Sequence, residues 1–160
     1  MFQPDEDGIF AKITVSGARF QFAFLVQIAL GLLLIYMAFI SPAGIFGKAI
    51  IVVFGIAMLV QANRLRANAK REIWLTDEGI VTNDGTVLAA MDQIVSVSRG
   101  SFALKPSNGF SVTLREKHSF LWVPGLWWRF GTRVGIGGIT SAGAAKFMAE
   151  QLSLRVAQES

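Results

Sequence analysis

The sequence predicts a membrane α-hairpin joined to a mainly-β α+β domain, in which about seven short strands form a barrel or sandwich capped by one C-terminal amphipathic helix. Three observations predict it. Two long apolar runs, Phe20 to Ile40 and Ile45 to Val60, are separated only by Ser41-Pro42-Ala43-Gly44. From Glu72 onward the continuous apolar character gives way to short alternating runs broken by turn residues, and after Thr140 the apolar period becomes helical.

The first run, FQFAFLVQIALGLLLIYMAFI, contains no Asp, Glu, Lys or Arg. As a helix it is roughly 30 Å long, the thickness of a bilayer core. The second run contains Lys48, which lies within a turn of its start, where a long side chain can snorkel to the headgroups. The spans are therefore placed at residues 20–40 and 43–61. A four-residue connection carrying a proline makes them an antiparallel hairpin. A signal peptide is the competing reading of the first run, but the run is too long for one and Asp5-Glu6-Asp7 is an atypical start.

Charge sets the expected orientation. Lys12 and Arg19 precede the first span, Arg64, Arg66, Lys70 and Arg71 follow the second, and the turn region offers only Lys48, so both termini are expected on the cytoplasmic side. Twelve of the 15 basic residues and eight of the 11 acidic ones lie from Arg64 onward, so that portion carries the whole net charge of +4. The juxtamembrane cations are topology determinants, and an anionic inner leaflet would attract them at about 1 kcal/mol each. Residues 1–19 read as an N-terminal cytoplasmic segment, 20–61 as the hairpin, 62–71 as a basic linker and 72–160 as the cytoplasmic domain. The conformation of the first segment stays open, with Phe10, Ile13 and Val15 free to meet either the interface or the domain.

The domain divides into short elements. Ile73 and Leu75 alternate with Trp74 and Thr76 before an Asp77-Glu78-Gly79 turn. Ile80-Val81-Thr82 leads into Asn83-Asp84-Gly85, where Asp-Gly suits a tight hairpin, and Val87-Leu88-Ala89 follows. Met91 to Ile94 reads as a helical turn and Val95 to Ser98 as a strand. A loop at Pro106-Ser107-Asn108-Gly109 precedes Phe110 to Leu114, and Phe120 to Val123 and Arg133 to Ile136 are the last expected strands. From Ala142 to Ala157 no proline occurs, and Ala144, Met148, Leu152 and Val156 recur every four residues, with Ala145 and Phe147 widening the stripe. Thr140 or Ser141 is the expected N-cap.

The phrases IWLTDEGIVTNDG and MDQIVSV, the later hairpin and the closing helix together resemble the bacterial pleckstrin-homology-like (PH-like) domains, which often follow a membrane hairpin. The resemblance covers roughly Glu72 to Arg155. It implies a seven-stranded, strongly bent antiparallel sheet capped by a C-terminal helix, at a bacterial cytoplasmic membrane, and it implies no catalytic residues. Lipid binding is not implied by fold alone.

The segment from His118 to Gly138 holds three of the four tryptophans, Trp122, Trp127 and Trp128, beside Arg129 and Arg133. Three readings stand. The indoles sit at a membrane interface with the arginines on phosphates; or they form a protein-binding hot spot; or Trp122 and one neighbour belong to the core and the rest fill a strand crossing. Other motifs carry less. Gly135-Ile136-Gly137-Gly138 lacks the spacing of a phosphate-binding loop and reads as a tight turn or close backbone approach. His118 reads as a solvated turn residue, and Asp77-Glu78 as turn residues without a matching acid. No cysteine and one histidine exclude disulfides, thiolate chemistry and His-cluster metal sites. The basic residues do not interleave with aromatics as a single-stranded nucleic-acid platform needs, and no cofactor is indicated.

The expected function is that of a non-enzymatic, membrane-tethered interaction module that docks onto or helps assemble a larger membrane-protein complex. Gly31, Ala38, Gly47, Gly55 and Ala57 would allow partner helices to approach the hairpin. The alternative is a module sensing anionic lipid through Arg64, Arg66, Lys70, Arg71, Arg129 and Arg133. An enzyme with dispersed Asp, Glu and Ser groups is a remote third.

Overall fold

A computed structural model describes residues 4–99 and 107–159 of the 160-residue chain. Pro106 of the expected loop lies outside the described residues. The chain forms two compact units, one comprising Gly17–Ala69 and the other Met1–Ser16 with Lys70–Ser160.

The first unit is a pair of helices, α1 (Gly17–Ile40) and α2 (Ile45–Ala67). Both are long and apolar enough to cross a membrane. Within residues 22–40 and 45–60 every exposed side chain is hydrophobic, with Phe22, Phe39, Ile45 and Phe46 among the most exposed. A helix apolar on every face suits a lipid surrounding and not water. Small residues hold the two helices together. A Cβ on Gly55 would stand 2.9 Å from the Gly31 carbonyl oxygen and 2.7 Å from Ile35 Cγ1, and one on Gly31 would stand 3.0 Å from the Gly55 carbonyl. Gly31, Ala38 and Gly55, expected to be open to partner helices, are therefore buried within the hairpin, whereas Ala57 is exposed. At the turn, the Ser41 hydroxyl accepts from the Ala43 N–H at 3.1 Å, and Pro42 ends α1 because it has no N–H to continue the ladder. The last turn of α2 carries Arg64 and Arg66, whose charges complement the helix C-terminus.

Among the described residues, the second unit contains seven strands and one α-helix. β1 (Ala11–Ile13), β2 (Ile73–Thr76), β3 (Gly79–Thr82) and β4 (Val87–Ala90) form an antiparallel sheet in chain order. β5 (Ile94–Ser98), β6 (Phe110–Val123) and β7 (Trp127–Ile136) form another, and α3 (Ala142–Glu159) follows. The single bent sheet implied by the resemblance is thus corrected, among the described residues, to two sheets of four and three strands, with no closed barrel. The break falls at the 3₁₀ turn Met91–Gln93, whose first N–H donates to the Glu78 carbonyl at 2.9 Å and redirects the chain before β5.

Two further expectations change. Phe110–Leu114 and Phe120–Val123 are parts of one 14-residue strand, because Arg115 to His118 remain extended instead of turning. The pairing absorbs them by a register shift: eight steps along β6 from Thr113 to Leu121 face four along β7 from Arg133 to Arg129. The N-terminal segment also acquires a defined place. Ala11 and Ile13 are buried and β1 pairs with β2, Ala11 opposite Leu75 and Ile13 opposite Ile73.

The core follows the period-two pattern. Ile13, Ile73, Leu75, Ile80, Leu88, Phe110, Val112, Val134 and Ile136 are almost inaccessible, and Met148 and Leu152 of α3 complete the layer. Each contributes about 1.5–3 kcal/mol by leaving water. The buried stripe of α3 runs through Ala145, Met148, Ala149 and Leu152, so Phe147, expected to widen it, is 40% exposed.

The β1–β2 register has a topological consequence. The hairpin is inserted between two directly paired strands, so the chain must leave and return on the same side of any membrane it crosses. Because the chain has no cysteine, single substitutions report this cleanly. In sealed vesicles, Thr14→Cys and Lys70→Cys should react with an impermeant maleimide from one side and Ala43→Cys from the other; reaction of the first two from opposite sides would refute the paired topology.

Candidate interaction surface

The tryptophan-rich segment is a β-hairpin end rather than a free loop. Pro124 and Gly125 occupy the central positions of the turn, Gly125 has φ +78°, and the Leu126 N–H donates to the Val123 carbonyl at 3.1 Å. Proline followed by a residue with positive φ suits a type II turn. The turn is fastened by the segment after β7, where the Gly137 N–H reaches the Leu126 carbonyl and the Ile139 N–H the Gly125 carbonyl, each at 2.9 Å. A Cβ on Gly138 would lie 2.5 Å from the Gly125 oxygen, so the glycine run serves close backbone approach, as its spacing suggests.

Strand parity sorts the aromatic residues. Trp127 lies opposite Val123 and is 2% exposed, with the Arg71 guanidinium 5.7 Å from its ring centroid. Trp122 lies directly opposite Trp128 on the other face and is 52% exposed. The core reading that centred on Trp122 is corrected: Trp127 is the core residue. Trp128 is half-buried because the strand shifts register beside Gly131, at φ +58°, and its indole lies over Gly135, where a Cβ would be 2.4 Å from Nε1.

Phe120 and Phe130 belong to the outer face, two residues from Trp122 and Trp128 respectively. Their rings meet edge to face at 6.3 Å, and they are 63% and 69% exposed. Phe120, Trp122, Trp128 and Phe130 thus form one aromatic surface on the β6–β7 end. The two phenylalanines were missing from the sequence-based site. Their signal was present in the i, i+2 pairs flanking Pro124-Gly125, which become neighbours once that turn is read as a hairpin.

The cations divide by partner. Arg129 donates through Nη1 to the carbonyls of Val87 and Leu88 at 3.0 and 3.3 Å, through Nε to the Ser119 carbonyl at 3.1 Å, and through Nη2 to the Ser119 hydroxyl at 3.2 Å. It fastens one sheet to the edge strand of the other, and its burial lowers its pKa. Arg71 pairs with Asp84 at 2.6 Å, and Lys12 with Glu72 at 2.7 Å. Arg19 is half-buried in the first turn of α1. Arg64, Arg66, Lys70 and Arg133 are exposed, as are Arg115 and Lys117 of β6. The cations of the proposed lipid-reading set are therefore not equivalent. His118 also differs from expectation: it lies in β6 opposite Gly131, and its buried Nε2 has no hydrogen-bond partner among the described residues. No group of three or more His, Asp and Glu residues is placed to hold a metal among the described residues.

A separate concavity of about 800 Å³ lies on the outer face of the four-stranded sheet. The cross-strand row Lys12, Trp74, Val81 and Val87 contributes to its lining.

Two outcomes follow. Arg129→Met should lower the unfolding free energy of the detergent-solubilised protein by about 1–3 kcal/mol, seen as a lower urea midpoint by tryptophan emission; an unchanged midpoint would contradict the fastening role. Asp84 is held below its ordinary pKa by donation from the Thr82 hydroxyl, then by Thr86 and Arg71. A depressed carboxyl stabilises the fold above its unfolded-state pKa and loses that contribution as pH falls through the lowered native value. Asp84→Asn should therefore flatten the decline in melting temperature below about pH 4; an unaltered acid limb would remove Asp84 from it. No protein-family model matches the chain, and no curated protein and no solved structure matches it either.

Proposed function

We propose that this protein is a membrane-anchored, non-enzymatic interaction module of the PH-like kind, whose domain docks onto a larger membrane-protein complex or helps to assemble it. In this reading the α1–α2 hairpin sits in a bacterial cytoplasmic membrane and both ends of the hairpin face the cytoplasm. The observation that carries the reading is the outward aromatic surface of Phe120, Trp122, Trp128 and Phe130. Large aromatic groups in water are the anchors that dominate protein contacts, because they bury much area while losing few rotamers. Their support is rigid, since the turn beneath them is bonded to the segment after β7 and Arg129 secures the adjoining strand. Such preorganisation lowers the entropic cost of docking.

A second reading, contact with anionic lipid, is favoured by Arg115, Lys117 and Arg133, which are exposed on the same two strands. It draws less support from Arg71 and Arg129, whose guanidinium groups are engaged within the domain.

The test is quantitative mass spectrometry of tagged protein purified from its own membranes in mild detergent. Wild type should bring down an integral membrane protein at near-stoichiometric level, and Phe120→Ser/Trp122→Ser/Phe130→Ser should lose it while keeping its melting temperature. Equal recovery with the variant would reject the aromatic surface as the contact. Quenching of Trp122 emission by brominated lipid would instead transfer that surface to the bilayer.

A further inference from the structure

The outer face of the four-stranded sheet has a chemistry opposite to that of the chain as a whole. Four strands each place one residue in a continuous row: Lys12 opposite Trp74, Trp74 opposite Val81, and Val81 opposite Val87. The row lines the 800 Å³ groove, whose acidic lining consists of Asp5, Asp7, Asp77 and Glu78. Lys12 is the one basic residue in that lining, and its ammonium is neutralised by Glu72. An acidic groove is thus built on a chain of net charge +4.

The groove already holds one cation of its own chain, Lys12, and one of its acids, Asp77, holds another, Arg155, which lies outside the lining. The Lys12 ammonium lies 6.0 Å from the centroid of Trp74, whose Nε1–H donates to Glu72 at 3.1 Å. Beside the groove the Arg155 guanidinium meets Asp77 at 3.3 Å and stacks 3.4 Å from the centroid of Phe10, while Asp77 remains 82% exposed. A ring face, carboxylates and the aliphatic floor of Val81 and Val87 match the parts of a lysine or arginine side chain: a charged head and an apolar stem. The acids near the N-terminus are held in place, since the Asp5 carboxylate accepts the N–H groups of Asp7 and Ile9 at 3.0 and 3.1 Å.

We propose that this groove is a second docking site and that it takes a Lys/Arg-rich extended segment of the membrane partner. The inference rests on the cytoplasmic, partner-docking reading above. Lys and Arg concentrate in the short cytoplasmic segments that flank membrane spans, so a membrane-tethered domain on that side meets such segments at high local concentration. The aromatic surface supplies apolar contact, and the groove supplies charge selection and a faster encounter.

The experiment uses the full chain in nanodiscs of zwitterionic lipid and a fluorescein-labelled peptide of alternating arginine and alanine, read by anisotropy. Wild type should bind the peptide with an affinity that falls as salt is raised, and should not bind the glutamate-alanine counterpart. Asp7→Asn/Glu78→Gln, which leaves the Asp77–Arg155 pair intact, should weaken binding about tenfold. Phe120→Ser/Trp122→Ser/Phe130→Ser should bind as wild type does, so a failure of the aromatic-surface reading would be visible separately. Equal affinity of wild type and the Asp7→Asn/Glu78→Gln variant, with both folded by circular dichroism, would overturn the proposal, as would absence of binding by wild type at low salt.

Discussion

The antiparallel pairing of β1 with β2 is the constraint on which the rest of this structure depends. Three residues on each side, Ala11 to Ile13 and Ile73 to Leu75, join parts of the chain that are separated by the whole helical hairpin. Closing so long an intervening segment as a flexible loop would cost several kcal/mol, but the cost rises only slowly with length and falls further when the segment is itself folded back. The Gly31–Gly55 contact performs that folding back within the hairpin. The domain is therefore discontinuous in sequence and continuous in its hydrogen bonding. The pairing is reinforced beyond the three-residue strand: Phe10 donates to Leu75, Ser16 to Ile139, and Ser141 to Thr14, so the N-terminal arm is bonded to the sheet and to the approach to α3.

What could be read from the sequence was governed by how local the deciding physics is. The two apolar helices, the Asn83-Asp84-Gly85 turn, the 3₁₀ turn at Met91 and the C-terminal helix rest on neighbours within a few residues, and each was legible. β1 was not, because Ala11-Lys12-Ile13 is too short to show alternation, and its burial arises from β2, more than fifty residues away. The partition into two sheets was hidden for a similar reason. Nothing in MDQ states which strands will pair on either side of it, so the short strands read as a sandwich or barrel and only the resemblance made them one bent sheet. In β6 the polar run Arg115-Glu116-Lys117-His118 looked like a turn, yet a register shift lets it stay extended.

The candidate site shows the same limit more sharply. Composition marked the segment from His118 to Gly138 as unusual, but it could not assign faces. In a strand, one residue of displacement exchanges the inside for the outside. The Pro124-Gly125 turn fixes Trp127 opposite Val123 and Trp122 opposite Trp128, and this parity alone sends Trp127 into the core and leaves Trp122 in solvent. Arg129 falls on the inward side with Trp127, which is why a residue of the type used to read phosphates is engaged with the carbonyls of β4. Arg129 thereby covers part of the β4 edge, and an uncovered edge is a liability in any short strand.

Two surfaces of contrasting chemistry result from one distribution of cations. Arg71, Arg129 and Arg155 are drawn inward to carboxylates, carbonyls and rings, whereas Arg115, Lys117 and Arg133 stay exposed on β6 and β7. The outward aromatic face consequently lies on strands with positive surroundings, and the four-stranded sheet keeps an acidic groove despite the basic character of the chain. A partner that is apolar and acidic at one contact and basic at another would satisfy both surfaces, and a uniformly anionic membrane would satisfy only the first. Electrostatic discrimination of this kind depends on opposed charge at separate places more than on net charge, since a second contact of the wrong sign penalises binding even where the first is favourable. On that ground the combination of the two surfaces supports the proposed protein partner over the lipid reading.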